Sequence, residues 1–433
     1  MNPKALDTGL TEQILAAVAA GFDEQLAVTQ QLIAYPSLRG IEATAQDFVY
    51  TLLAERGYVM DRWTIAVDEI GHHPGFSPVT IDYHQAVNVV GTWRPRQEQG
   101  RSLILNGHID VVPEGPWTMW THPPYQPHID GDWLYGRGSG DMKAGLVANI
   151  FALDALRRLG YRPAARVHIQ SVTEEECTGN GALACLVRGY HADAAIIPEP
   201  EDNRLVRANV GVIWFQVSVQ GKPVHVREAG QGANAIEAAY RLIQALRGLE
   251  TEWNRRKHAY PYFSELDHPI NFNVGKIHGG DWASSVPAWC TFDARIAIYP
   301  GDDPQTMATE IEDCLRAASR DDAFLSNNPP QIDYNGFFAQ GYVLEEGSEA
   351  EHTLAQAHQL SFADALQSFV TPSYLDGRVF VIYDGTPCLV YGPVAENIHG
   401  FDERVQISSV QRITGTLALF IAAWCGLEPV GHQ

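Results

Sequence analysis

Short apolar runs alternate with helix-spaced apolar positions along most of this chain, and that alternation constrains its fold more than any other feature. Leu103-Ile104-Leu105 and residues 167–172, 194–197 and 388–391 read as buried strands. Between them, Leu146, Ile150, Leu153 and Leu156 share one face of a helix over about 143–159. Leu15, Phe22, Leu26 and Ile33 give residues 12–33 a helical spacing as well. Strands separated by helices of this length specify an α/β domain whose sheet is mostly parallel and flanked by helices.

The middle of the chain keeps a different order. Residues 212–219 read as a strand, followed by a helix over about 233–249 with Ile236, Tyr240, Ile243 and Leu246 aligned. Strand-like runs at 270–277 and 289–298, a helix over about 304–318 and an extended run at 331–334 complete a β-α-β-β-α-β series. That is the order of a ferredoxin-like α+β sandwich. The α/β pattern then resumes, so the second unit reads as an insertion at 209–336 into a domain formed by 1–208 and 337–433. A chain of 433 residues exceeds one ordinary core, in agreement with two domains.

Lys plus Arg total 30 against 52 Asp plus Glu, a net charge of −22. A field of that sign repels nucleic acid and anionic membranes, so neither is an expected partner. No stretch approaches the roughly 18 uninterrupted apolar residues of a membrane span. Residues 1–12 lack the basic-then-apolar layout of a secretory signal. The six scattered cysteines contain no C-x-x-C pair, so reduced thiols and a cytoplasmic address are expected.

Three strand-like segments end on residues that ligate metals. One runs into Asn106-Gly107-His108-Ile109-Asp110, the next into Thr173-Glu174-Glu175-Glu176, the third into Pro198-Glu199-Pro200. Parallel sheets bind ligands beyond the carboxyl ends of their strands. One His or Glu there is ordinarily structural or solvated; three such segments together point to a site. Gly136-Arg137-Gly138-Ser139-Gly140-Asp141 places a carboxylate just before a helix, where it either caps that helix or joins the cluster. His399 follows the last strand. An oxygen and nitrogen donor set without thiolate favours Zn²⁺, Mn²⁺ or Co²⁺. An Asp can bridge two such ions, and the surplus Glu can serve as proton shuttle for an attacking water.

These segments resemble the M20 metallopeptidase and deacylase family in residue type, order and separation over nearly the whole chain. The matching text is Gly107-His108-Ile109-Asp110, Gly136 through Lys143, Thr173 through Glu176, Pro198-Glu199-Pro200, and His399 followed by Asp402-Glu403. The resemblance implies two divalent cations per subunit, Zn²⁺ first, with Co²⁺ or Mn²⁺ as alternatives. His108, Asp141 and Glu199 would hold one, and Asp141, Glu176 and His399 the other. Glu175 is implied as the general base that later protonates the leaving amine, with Asp110 hydrogen-bonding His108. A cis peptide at Asp141-Met142 is expected from the same likeness. So is amide hydrolysis of a small N-acyl amino acid or related compound by a metal-bridged hydroxide. A dipeptidase or carboxypeptidase of the same family, or a metal-binding protein without turnover, are the alternatives.

The inserted unit resembles the family's lid and dimerisation domain, which implies a homodimer. His225, in Gly221-Lys222-Pro223-Val224-His225, matches a His that reaches the partner subunit's site and stabilises an oxyanion. Arg295 matches a substrate-carboxylate contact, for which a guanidinium is suited. Arg378 lies in a second substrate-side segment. Ser284 stands where relatives often carry Asn, and Tyr374-Leu375 where they often carry Gly and Thr. Both departures fall on the substrate side, which leaves the metal chemistry intact and the acyl and amine preferences open.

Overall fold

The computed structural model describes residues 7–430, so residues 1–6 of the 1–12 stretch lie outside the described residues. Two sheets organise the chain. It first lays down β1 (Val59–Thr64), β2 (Val87–Trp93), β3 (Leu103–His108), β4 (Val167–Val172) and β5 (Ala195–Ile197). It then builds β6 (Gly211–Gln220), β7 (Phe272–Gly279), β8 (Trp289–Ile298) and β9 (Gln331–Asp333), and returns with β10 (Cys388–Val390). The first sheet has the order β1-β2-β4-β3-β5-β10. β3 runs parallel to both its neighbours and β10 parallel to β5, while β1 and β2 form an antiparallel edge. Every residue of β3, β4, β5 and β10 is buried, which is why β5, β10 and the start of β3 read as apolar runs, while β4 also buries His168, Gln170 and Ser171.

The eight longer helices are α1 (Thr8–Ala20), α2 (Phe22–Ile33), α3 (Ala43–Glu55), α4 (Ala144–Arg158), α5 (Ala235–Arg255), α6 (Pro304–Arg320), α7 (Glu349–Phe362) and α8 (Ile407–Cys425). α4 and α8 pack on each other beside α1, and α3 covers β1 and β2. The helical spacing expected over 12–33 is correct in kind but divides in two at Gly21. A side chain there would strike the Arg158 guanidinium, whose Nη1 lies 1.9 Å from the position of a Cβ.

The second sheet has the order β7-β8-β6-β9, antiparallel throughout, with α5 and α6 packed together over it. Asn234 caps α5 by accepting from the Ile236 and Glu237 amides, and Asp303 caps α6 ahead of Pro304. α5 runs past its expected end at 249 because Trp253 is buried in the core, its indole donating to Glu310 (2.8 Å). Alternate residues of β6 and β8 (Ile213, Phe215, Val217; Phe292, Ala294, Ile296) bury in that core. The intervening residues, Val212 and Trp214 on β6 and Arg295 on β8, belong to the opposite face.

The chain crosses between the sheets twice, and the two crossings lie together. Ala208 and Asn209 pair antiparallel with Val343 and Tyr342. Beside them Gly211 and Gly341 touch backbone to backbone, leaving no room for a Cβ on either.

Candidate active site

The carboxyl ends of three adjacent parallel strands converge on one point. His108 closes β3, the turn after β4 carries Glu175 and Glu176, and Glu199 follows β5. Asp141 enters on the kinked segment Ser139–Lys143, ahead of α4. Gly138 turns the chain there at φ +78°, and a side chain on it would meet Val111 at 2.6 Å. The Asp141-Met142 bond is cis. His399 does not sit on a strand end. It occupies the tip of a hairpin between Ala395–Glu396 and Arg404–Gln406, at φ +61°.

Asp141 joins the two halves of the cluster through separate oxygens. Its Oδ1 lies 3.0 Å from His108 Nε2 and its Oδ2 lies 3.3 Å from His399 Nε2. Glu199 completes the first group, 3.7 Å from His108 Nε2, and Glu176 the second, 3.1 Å from His399 Nε2. In each triad the donor atoms lie within 4.8 Å of one another. Glu175 belongs to neither triad, stands 4.0 Å from His108 Nε2, and its carboxylate makes no hydrogen bond among the described residues.

This donor set fits a pair of divalent cations. Both triads contain only imidazole and carboxylate, and the buried Glu199 Oε1 has no hydrogen-bond partner among the described residues. Burial pushes Glu199 up to about 7 and Glu175 well above the carboxyl range, with their neighbouring carboxylates adding to both shifts. His399 is pushed up to about 11, mainly by Glu176. Burial opposes charge on His108, yet Glu199 and Asp141 raise it well above its ordinary value. Crowded carboxylates that recruit protons in this way are what a bound cation neutralises.

The surrounding bonds fix the arrangement. His108 Nδ1 meets the Asp110 backbone carbonyl at 2.8 Å, which leaves Nε2 free to ligate. The Asp110 carboxylate, expected to perform that task, stands 3.6 Å from Nδ1 and accepts instead from the Glu175 and Glu176 amides (3.3 and 3.1 Å). Glu403 accepts from the Gly140 and Asp141 amides while receiving Arg137 (2.5 Å), which also donates to Gly400 O beside His399. Glu174 is gripped by Arg39 and Tyr83, each at 2.6 Å.

A cavity of about 490 Å³ opens from the cluster and reaches the second sheet, with Arg295, Trp214 and Tyr374 in its wall. Arg295 has no ion pair or side-chain hydrogen bond among the described residues, and burial alone lowers its pKa. Arg378 is not in that wall. It is fully buried behind Tyr374, donating to the Tyr374 hydroxyl (3.0 Å), Gly75 O (2.9 Å) and the Tyr383 hydroxyl (3.3 Å). Ser284 and His225 are exposed and also absent from the wall, and His225 Nδ1 accepts from the Arg227 amide (3.1 Å). Trp214 and Phe337 also line the cavity, and neither is among the site residues expected from the sequence. The signal was present for Trp214, which falls on the outward phase of an otherwise apolar-inward strand.

Comparison with known proteins agrees with this geometry. The family model described as peptidase family M20/M25/M40 matches residues 104–423. An N-formyl-4-amino-5-aminomethyl-2-methylpyrimidine deformylase of Bacillus subtilis is 30% identical, over 93% of this chain and 95% of its own. A succinyl-diaminopimelate desuccinylase of Alkalilimnicola ehrlichii is 26% identical, over 90% and 96%. The di-peptidase Dug1p of Saccharomyces cerevisiae superposes with a TM-score of 0.75 at 15% identity, over 96% of this chain and 98% of that one.

Proposed function

Because this chain belongs to peptidase family M20/M25/M40, we propose that it hydrolyses the amide bond of a small N-acylated amine, an N-acyl amino acid or a related compound. One observation carries the proposal: two ligand triads share Asp141, and an unligated Glu175 stands beside them. The relatives named above take a formyl and a succinyl group from nitrogen, which is chemistry of this kind. His108, Asp141 and Glu199 would hold one cation and Asp141, Glu176 and His399 the other. When bound, the pair, Zn²⁺ first with Co²⁺ or Mn²⁺ as alternatives, supplies Lewis acidity to the carbonyl and lowers the pKa of water.

Glu175 takes the proton of the attacking water and returns it to the leaving nitrogen as the C–N bond breaks. Its burial favours holding that proton in between. The Asp110 carboxylate, through the Glu175 and Glu176 amides, keeps base and ligand apart on one turn. Arg295, a cation without an ion-pair partner among the described residues, would pair with an acidic group of the substrate. That same cation fits the carboxylate of a dipeptide, which keeps dipeptidase activity as the second reading. The metal-loaded protein should hydrolyse some members of a panel of N-formyl, N-acetyl, N-succinyl and dipeptide amides, and lose turnover on chelation. A loaded protein inert on the whole panel would overturn the proposal.

The unit at 209–336 would act as a lid and join two copies, with residues 1–208 and 337–433 as the catalytic part. β7 is an open sheet edge, and near it Ile236, Tyr240, Ile277 and Trp282 are exposed. His225, on the same unit and away from its own cavity, would serve the partner's site. No helix among the described residues is long and apolar enough to cross a membrane. All six cysteines are unpaired, which supports a cytoplasmic address.

A further inference from the structure

Three aromatic side chains, from three separate segments, meet in the cavity wall. Trp214 comes from β6, Phe337 from the second crossing and Tyr374 from the turn after Ser368–Thr371. Trp214 and Phe337 meet edge to face at a centroid distance of 5.2 Å, and Phe337 and Tyr374 lie 4.2 Å apart at 40°. With Val212 and Ala339 they form a small apolar cluster distinct from the cores of both sheets.

Each outer ring is held in place. A side chain on Gly336 would lie 2.6 Å from the Trp214 ring, and one on Gly179, at φ +70°, would lie 1.8 Å from the Tyr374 hydroxyl. That hydroxyl donates to Asp376 (2.9 Å) and accepts from Arg378 (3.0 Å), so it is occupied away from the cavity and its ring is left to make contacts. Arg378 thus acts on the substrate side as a positioning residue. Arg295 is the direct cross-strand partner of Trp214, which sets a planar cation beside the rings. Fixed rings lose little entropy on binding, and aromatic faces favour a flat partner over a puckered one of equal size.

We infer that one half of the substrate amide is a flat aromatic or heteroaromatic ring, received by Trp214, Phe337 and Tyr374 beside Arg295. The inference rests on the amide-hydrolysis reading and sharpens it to a substrate class. The test uses the metal-loaded full chain and two ketones in which CH₂ replaces the amide NH, 4-phenylbutan-2-one and 4-cyclohexylbutan-2-one. Calorimetry should show the phenyl compound bound about tenfold more tightly, the effect of one or two aromatic contacts. In Trp214→Leu that ratio should fall towards one, and Phe337→Leu gives a second variant should the first fail to fold. Equal binding of the two ketones, or a ratio unchanged in the folded variants, would overturn the inference. A phenyl preference in a protein that cleaves no amide would instead defeat the hydrolase reading and leave the ring site standing.

Discussion

Asp141 touches a histidine with each of its two oxygens, so a single substitution there reaches both triads at once. Asp141→Ala is expected to lose both cations, read as metal content by mass spectrometry, while Glu175→Gln should retain them. Glu175→Gln should also lose at least about a hundredfold in turnover, the usual contribution of general acid–base catalysis. A Glu175 variant that lost metal and melted early would mark the residue as structural. At this scale His108, Glu176 and Glu199 were legible because each follows a strand, and Asp141 because it precedes a helix, where chain order alone brings donors together. Asp110 was legible as a neighbour of His108 but not in its manner of bonding. The backbone carbonyl reaches Nδ1, and the carboxylate goes to the amides of the next strand's turn. Trp214, Phe337 and Tyr374 meet only after the two sheets are set side by side, and no local pattern announces that.

Elements, rather than single ligands, hold the second triad. The Arg137–Glu403 pair links the Asp141 turn to the His399 hairpin, with both side chains almost wholly buried. Arg137→Met would leave Glu403 a buried, unpaired charge. It should cost about 3–5 kcal/mol, measured by denaturant unfolding, and loosen His399 before His108. β4 carries a different pressure. His168 is buried beside Thr92, and burial, with Arg166 and Arg94 adding, lowers its pKa to about 4. A histidine depressed by folding gives its stability above its unfolded pKa of 6.5 and loses it as pH falls towards 4, on the order of 3 kcal/mol. The difference in melting temperature between wild type and His168→Gln should therefore shrink across that window, and a constant difference would defeat the account. The strands of the second sheet and the parallel strands of the first were readable in the sequence, whereas the antiparallel edge pair β1 and β2, with β1 largely solvent-facing, was not. Nor was the break at Gly21, because the Arg158 guanidinium that lies against it comes from a distant helix, and the His399 hairpin was hidden by strands of only two or three residues.

At the scale of the whole molecule, two predictions separate metal from assembly. Cation removal by a chelator should lower the melting temperature as well as stop turnover, since a ligand of the folded state alone stabilises it. Sedimentation should find a dimer, and mixing Glu175→Gln with His225→Ala chains should restore turnover that neither has alone. Failure of the mixture in a proven dimer would return His225 to its own surface. The change of period in the middle of the sequence marks the strands of the second sheet, but not how the chain's two crossings to it are tied. Those crossings form a narrow strap, antiparallel between Ala208–Asn209 and Tyr342–Val343 and backed by Ser368–Thr371 as a third, parallel strand, closed by Gly211 against Gly341. Any swing of one sheet relative to the other must flex that spine, which yields across its flat side and resists sliding. A lid motion of the proposed kind would thereby be confined to something like the cover of a book, carrying Trp214 towards and away from the two ligand triads along one arc.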